Sequence, residues 1–272
     1  MPFCNELRMS RDRPPARAYG RTVALLATGL SGLMLGSFLN VVAFRLPRGE
    51  SLVRPSHCPL CGAAVRPYDN VPVLSWLWLR GRCRGCGEGI SPRYPVVEAV
   101  TALLFVAVLA VGGVDADALP GLALVLVLVP TTLIDLEYRI IPNALMAVGA
   151  ALGLALVAVT DPSHLAEHVI AAAATGGFFF VVVLAYPEGM GVGDAKLAAV
   201  LGLYLGASVI PALVVALLTG TLVGVVIIAR KGAKAGRKTA VPFAPFLAMG
   251  GIVGLLAGPA MIDWYLRAFA GS

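Results

Sequence analysis

The run LPGLALVLVLVPTTLIDLEYRIIPN, residues 119–143, opens with sixteen uncharged residues and then brings Asp135, Glu137 and Arg139 together. As a helix rising about 1.5 Å per residue, residues 119–137 reach about 28 Å, close to the ~30 Å hydrocarbon thickness of a bilayer. An apolar run of that length bounded by charge reads as a transmembrane helix. Comparable runs occupy about 22–44, 95–113, 142–160, 168–186, 194–207, 209–229 and 241–261, which makes about eight spans. The sixth is short, and Ser208 and Pro211 make its junction with the seventh the least defined boundary.

Composition agrees. The chain is 58% hydrophobic and 13% charged, against roughly 25% charged in soluble domains, and its mean hydropathy is +0.86. The expected fold class is an all-α polytopic membrane protein, a bundle of helices packed on one another and on lipid rather than a water-driven globule. The first run follows several arginines, as a signal peptide does. It is longer than an h-region of about 7–15 residues and has no A-x-A cleavage site, so it reads as a permanent helix. The expected division is a basic tail (1–21), a first transmembrane helix (22–44), a loop domain (45–94), a multi-helix core (95–261) and a C-terminal tail (262–272).

Lys and Arg in short loops set orientation. Loop 45–94 carries eight arginines: Arg45, Arg48, Arg54, Arg66, Arg80, Arg82, Arg84 and Arg93. Segment 230–240 adds Arg230, Lys231, Lys234, Arg237 and Lys238, and the intervening turns add Arg139 and Lys196. Loops 113–118 and 161–167 hold Asp115, Asp117, Asp161 and Glu167 with no Lys or Arg. Eight spans put every basic loop on one side, which is therefore expected to be cytoplasmic. The tail, with Arg8, Arg11, Arg13, Arg17 and Arg21, falls on the other side and is the one feature that disagrees. Anionic inner-leaflet lipid accounts for the net charge of +6 without any nucleic acid partner.

Loop 45–94 contains Cys58-x-x-Cys61 and Cys83-x-x-Cys86 with 21 residues between the pairs. Two such knuckles present four thiolates to one tetrahedral ion, the spacing of a Cys4 zinc site. Gly62 and Gly87 follow the second cysteine of each pair, where a tight turn needs a residue tolerant of positive φ. A closed four-cysteine set leaves no open coordination position, so the reading is a structural metal that staples the loop. A pair of disulfides is the alternative, disfavoured in a reducing cytoplasm. Cys4 stands apart from the cluster.

Asp135 ends the third span and Asp194, in GMGVGDAKL (189–197), begins the sixth; the topology puts both at the same depth on the same face. The plain reading is that Asp194 caps a helix N-terminus and that Asp135, Glu137 and Arg139 form an interfacial cluster. The functional reading is a two-carboxylate site. Two carboxylates held close cannot both ionise readily, so one activates water while the protonated one polarises a carbonyl. Gly189, Gly191 and Gly193 would let backbones approach closely and an extended peptide lie beside them, with Lys196 on the same segment. Glu98 and Asp263 have no depth-matched acidic partner. His57 adjoins the cysteine loop, His164 and His168 stand on the opposite side without ligand partners, and no Ser-His-Asp set or Walker loop occurs.

The chain is similar to the bacterial prepilin peptidases, or type IV leader peptidases, among the GxGD aspartyl proteases. The resemblance rests on GSFLNVVAFRLPRG (36–49), the two CxxC pairs around NVPVLSWLWLRGRC (70–83), ISPRYPVVE (90–98), IDLEYRIIPN (134–143), GMGVGDAKL and VPFAPFL (241–247). It implies Asp135 and Asp194 as the catalytic pair. It also implies cleavage of the basic leader of type IV prepilins or type II secretion pseudopilins at the cytoplasmic face of the inner membrane. Members with the zinc loop also N-methylate the new N-terminus with S-adenosylmethionine, which makes the loop around Gly81, Arg82 and Arg93 a candidate methyl-transfer side. Asn143 stands where the family often has Asp, and Ala244 where Gly is usual. The competing readings are a peptidase without methyl transfer and, in another class, a membrane transporter or zinc-binding scaffold.

Overall fold

The computed structural model describes residues 16–187, 189–232 and 241–271. Cys4, Arg8, Arg11, Arg13, Lys234, Arg237 and Lys238 lie outside the described residues. Within them the chain forms α1 (Ala16–Arg45), α2 (Leu74–Trp78), α3 (Arg93–Gly112), α4 (Ala118–Tyr138), α5 (Asn143–Thr160), α6 (Leu165–Ala185), α7 (Val192–Leu205), α8 (Val209–Lys231) and α9 (Ala244–Tyr265). No strand occurs among the described residues; two isolated bridges, His57–Ala64 and Arg82–Gly89, lie in the loop between α1 and α3.

Among the described residues, seven stretches are long and apolar enough to cross a membrane, and the sixth of these is the 40-residue Val192–Lys231. It is not one rod. Gly206, at φ 53° and ψ −132°, breaks it into α7 and α8. The two parts then run in opposite directions along α9: Leu205 and Ser208 meet Gly254, while Gly220 meets Phe243. The eighth rod expected from the sequence is therefore α7, which at 14 residues is only about 21 Å long.

Three antiparallel pairs carry most of the packing: α1 with α3, α6 with α7, and α8 with α9. Lipid is as apolar as leucine, so such pairs are held by close approach and interhelical hydrogen bonds. Where α8 meets α9, a Cβ on Gly250 would stand 2.2 Å from the Ala212 carbonyl oxygen, so only glycine permits that crossing. Between α6 and α7, the Thr175 hydroxyl donates to the Ala198 carbonyl at 2.9 Å.

Helix α7 is the centre of the bundle. From Asp194 to Leu205 every residue is buried except exposed Lys196 and half-buried Ala199. Its Leu201 meets Leu128 of α4 across Gly251 of α9, and its Tyr204 hydroxyl donates to the Gly149 carbonyl of α5 at 2.9 Å. An all-round apolar sequence is what a helix enclosed on every side requires.

Gly250→Val is expected to lower stability in detergent by about 1–3 kcal/mol or more, as overpacking does. Gly224→Ala in α8, where nothing lies within 4 Å of the new methyl, serves as the control that leaves it unchanged. Equal thermal unfolding of the two variants would refute the Gly250 crossing.

Candidate active site

Asp135 lies in the last turn of α4 and is 6% exposed; Asp194 lies in the first turn of α7 and is 9% exposed. Both are at the end of the bundle that carries the long loop. Each carboxylate meets a helix N-terminus. Asp135 Oδ2 accepts the Ala244 backbone N–H, the first of α9, at 3.0 Å. Asp194 Oδ2 accepts the Gly191 N–H at 3.1 Å, closing the turn before α7. Both bonds use Oδ2, which leaves Oδ1 of each aspartate outside them.

The sequence-level reading of Asp194 as a cap therefore describes its geometry without excluding the pair. A carboxylate suits this position because the first N–H groups of a helix are unpartnered and carry the positive end of its dipole. Gly191 has no side chain, so only one arm of a capping box exists. On the α4 side, Arg139 adopts the left-handed conformation at φ 55° and donates its N–H to the Asp135 carbonyl, ending the helix one turn after the aspartate.

The three glycines differ in role. A Cβ on Gly193 would stand 2.8 Å from Ile141 Cβ, so this glycine lets the start of α7 pass the turn before α5. Gly191 and Gly189 have room for a methyl, with nearest atoms at 3.6 Å, and both are exposed. Lys196 Nζ donates to Asn143 Oδ1 at 2.6 Å, so the Asn that departs from the family pattern receives the lysine of the glycine segment. Ala244, the other departure, contributes a backbone N–H that glycine would supply equally.

The four cysteines come together as the spacing predicts. Cys58, Cys61, Cys83 and Cys86 are free, and their sulfurs all lie within 4.8 Å of one another. Cys58 Sγ and Cys86 Sγ are 3.9 Å apart, near the ~3.8 Å that two thiolates at about 2.3 Å from a tetrahedral zinc would show. Each knuckle is closed by glycine: Gly62 (φ 70°) donates to the Cys58 carbonyl and Gly87 (φ 75°) to the Cys83 carbonyl. Backbone N–H groups of Cys61 and Leu60 beside the Cys58 sulfur pull its thiol down to about 6. This cluster can bind a metal ion, and His57 is not part of it.

The structure separates the candidate methyl-transfer residues. Gly81 (φ 66°) lies against the Trp76 ring, 2.8 Å from where a Cβ would be, and Arg82 is exposed on the turn into the second knuckle. Arg93 points elsewhere, bonding Glu137 Oε2 at 2.5 Å. That ion pair escaped the sequence reading, as did the bond from Val73 N–H to Glu98 Oε2 at 2.7 Å. The signal for the second was an acid inside an apolar helix, which demands a buried partner.

Residues 30–111 match the bacterial peptidase A24 N-terminal domain, and residues 122–229 match the type IV leader peptidase family. The chain is 41% identical over 215 residues to the prepilin leader peptidase/N-methyltransferase of Myxococcus xanthus, covering 76% of this chain and 64% of that protein. It is 36% identical over 271 residues to the protein so named from Aeromonas hydrophila, covering 88% and 93%. The like-named Bacillus subtilis protein is 32% identical over 242 residues, covering 88% and 97%.

The chain belongs to the type IV leader peptidase family. No solved structure matches it. Family membership makes it a multi-pass membrane enzyme and sets aside the transporter and scaffold readings. The match to the peptidase family takes in both aspartates, and the match to the N-terminal domain takes in all four cysteines.

Gly193→Ala is expected to cost about 1–3 kcal/mol of stability through Ile141, whereas Gly191→Ala should leave thermal unfolding unchanged. A Gly193→Ala protein as stable as wild type would show that Ile141 does not set this approach.

Proposed function

We propose that this family member cleaves the short basic leader of prepilins or pseudopilins, with Asp135 and Asp194 as its acid–base pair. The observation that supports this reading is the convergence of two buried carboxylates at one end of the bundle, each held through Oδ2 by a backbone amide. In the proposed mechanism one aspartate is ionised and draws a proton from water through its Oδ1. The other is protonated and donates to the scissile carbonyl oxygen. The water oxygen bonds to the carbonyl carbon, and the C–N bond then breaks as the leaving nitrogen takes a proton. Exposed Gly189 and Gly191 leave the loop beside Asp194 open for an extended leader, and Lys196 stands at its edge.

We place this end of the bundle, with the cysteine loop, on the cytoplasmic side of the bacterial inner membrane, because the arginines of the loop, Arg139 and Lys196 lie there together. The loop 45–94 is then a small zinc domain on the 95–261 protease core. Cys58, Cys61, Cys83 and Cys86 would hold Zn2+, which when bound fixes the fold of the loop and leaves no open position for a substrate. The second proposed activity is N-methylation of the new N-terminus with S-adenosylmethionine. The names of the relatives and the presence of the cysteine cluster favour it over a peptidase alone. Among its candidates, Gly81 is committed to Trp76 and Arg93 to Glu137, which leaves exposed Arg82 to meet the carboxylate of the donor.

With purified prepilin, wild type should release the leader, and Asp135→Asn and Asp194→Asn should each lose processing by roughly 10²–10⁴-fold, the range that general acid–base catalysis contributes. Processing by either variant at the wild-type rate would refute the pair. Metal analysis should find about one zinc per chain, as a Cys4 site binds, and Cys58→Ser or Cys83→Ser should lose it. Transfer of label from methyl-labelled S-adenosylmethionine to the processed product tests the second activity, and cleaved but unlabelled product would leave a peptidase alone.

A further inference from the structure

Loop 46–92 is rich in arginine, yet it presents one apolar face outward. In α2, Leu74, Leu77 and Trp78 stand at i, i+3 and i+4 on one side and are 65%, 58% and 83% exposed. The opposite side of α2 carries the polar bonds. The Ser75 hydroxyl accepts the Val71 N–H and donates to the Tyr68 carbonyl, each at 2.9 Å, and Trp76 Nε1 donates to the Ile90 carbonyl at 3.0 Å. A helix in a water-bathed domain has the reverse arrangement, with its apolar side inward.

The bond from Val73 fixes the depth of this face. Val73 precedes α2 in a strained conformation for a β-branched residue, φ 60°, with its N–H on Glu98. Glu98 lies five residues inside α3, about 7.5 Å along a membrane-crossing helix. Val73, and with it the start of α2, is thereby held at the end of α3 where that helix enters the membrane, the zone in which an interfacial helix lies. Tryptophan favours this zone because its ring is apolar and its N–H polar.

Charge agrees with the position. Arg80 and Arg82 follow the helix directly and are exposed. Arg84, by contrast, is spent on Asp69, bonding it at 2.6 and 2.9 Å, and Arg66 donates to the Tyr68 hydroxyl. Arg80 thus stands beside the apolar face, where anionic headgroups would be.

We propose that α2 is an interfacial anchor: its Leu74–Leu77–Trp78 face lies in the headgroup–acyl boundary of the bilayer, with Arg80 against anionic headgroups. The cysteine module then rides on the membrane surface instead of standing off in solvent. The proposal is independent of the cleavage and methyl-transfer readings, since it concerns lipid and its test needs no turnover.

The test uses the full-length, metal-loaded protein in nanodiscs of anionic lipid, with and without bromine near the headgroup end of the acyl chains. Subtracting the fluorescence of Trp78→Phe from that of wild type isolates Trp78 from Trp76 and Trp264. The expected difference spectrum is blue-shifted, loses most of its intensity in brominated discs, and is unaffected by added leader peptide. In Leu74→Ser/Leu77→Ser, with metal content retained, that quenching should fall. A red, unquenched Trp78 signal would overturn the proposal. So would quenching that disappears when leader peptide is added, because the face would then belong to the substrate.

Discussion

The bond from the Ala244 N–H to Asp135 joins residues 109 apart in sequence and meets two needs at once. A buried carboxylate is costly near hydrocarbon, and the first N–H groups of a buried helix have no partner within their own helix. Ala244 is fully buried, so its amide has no recourse to water. Each group therefore requires the other. The bond also fixes where α9 begins, and the glycine crossing of α9 on α8 at Gly250 then fixes where α8 lies.

Helix α7 supplies the second carboxylate through a different compromise. At about 21 Å it is shorter than the hydrocarbon core, and the chain breaks at Gly206 while still packed inside protein. Broken backbone at such depth needs internal partners. Helix α6 provides them from its first turn: His168 Nδ1 donates to the Leu203 carbonyl at 2.8 Å, and Glu167 Oε1 accepts the Ala207 N–H at 2.9 Å. The break lets α8 turn back along α9, while the other end of α7 presents Asp194 at the same end of the bundle as Asp135.

Much of this was legible because it is local. The apolar runs mark the helices, and the CxxCG pattern marks two turns whose glycines do adopt positive φ at Gly62 and Gly87. Counting spans put Asp135 and Asp194 on one face of the membrane, and in the structure both lie at the loop end of the bundle. What escaped is non-local or carried by backbone. Ala244 donates through its amide, which leaves no side-chain signature. His168 looked like half of an empty pair with His164, yet it serves the α7 break while His164 bonds Asp161 on the surface. The glycines around Asp194 looked alike in sequence, and only the passage of Ile141 distinguishes Gly193.

The last turn of α4 shows how the loop and the aspartates share one frame. Asp135 faces α9, and Glu137, two residues on, points the other way to Arg93 at 2.5 Å and Arg48 at 3.9 Å. Arg48 lies where the chain leaves α1 for the loop, and Arg93 where it re-enters α3, so both roots of the loop meet the helix that carries Asp135. Partly exposed pairs of this kind contribute only about 0–1 kcal/mol, so their effect is on geometry more than stability. The Arg48 guanidinium also lies over the Phe44 ring at 3.7 Å and near the Tyr138 ring at 5.4 Å, which restricts its own rotamers. With α4 held by α9 on one side and by the loop roots on the other, the position of the cysteine module is referred to the same turn of helix that positions the carboxylate.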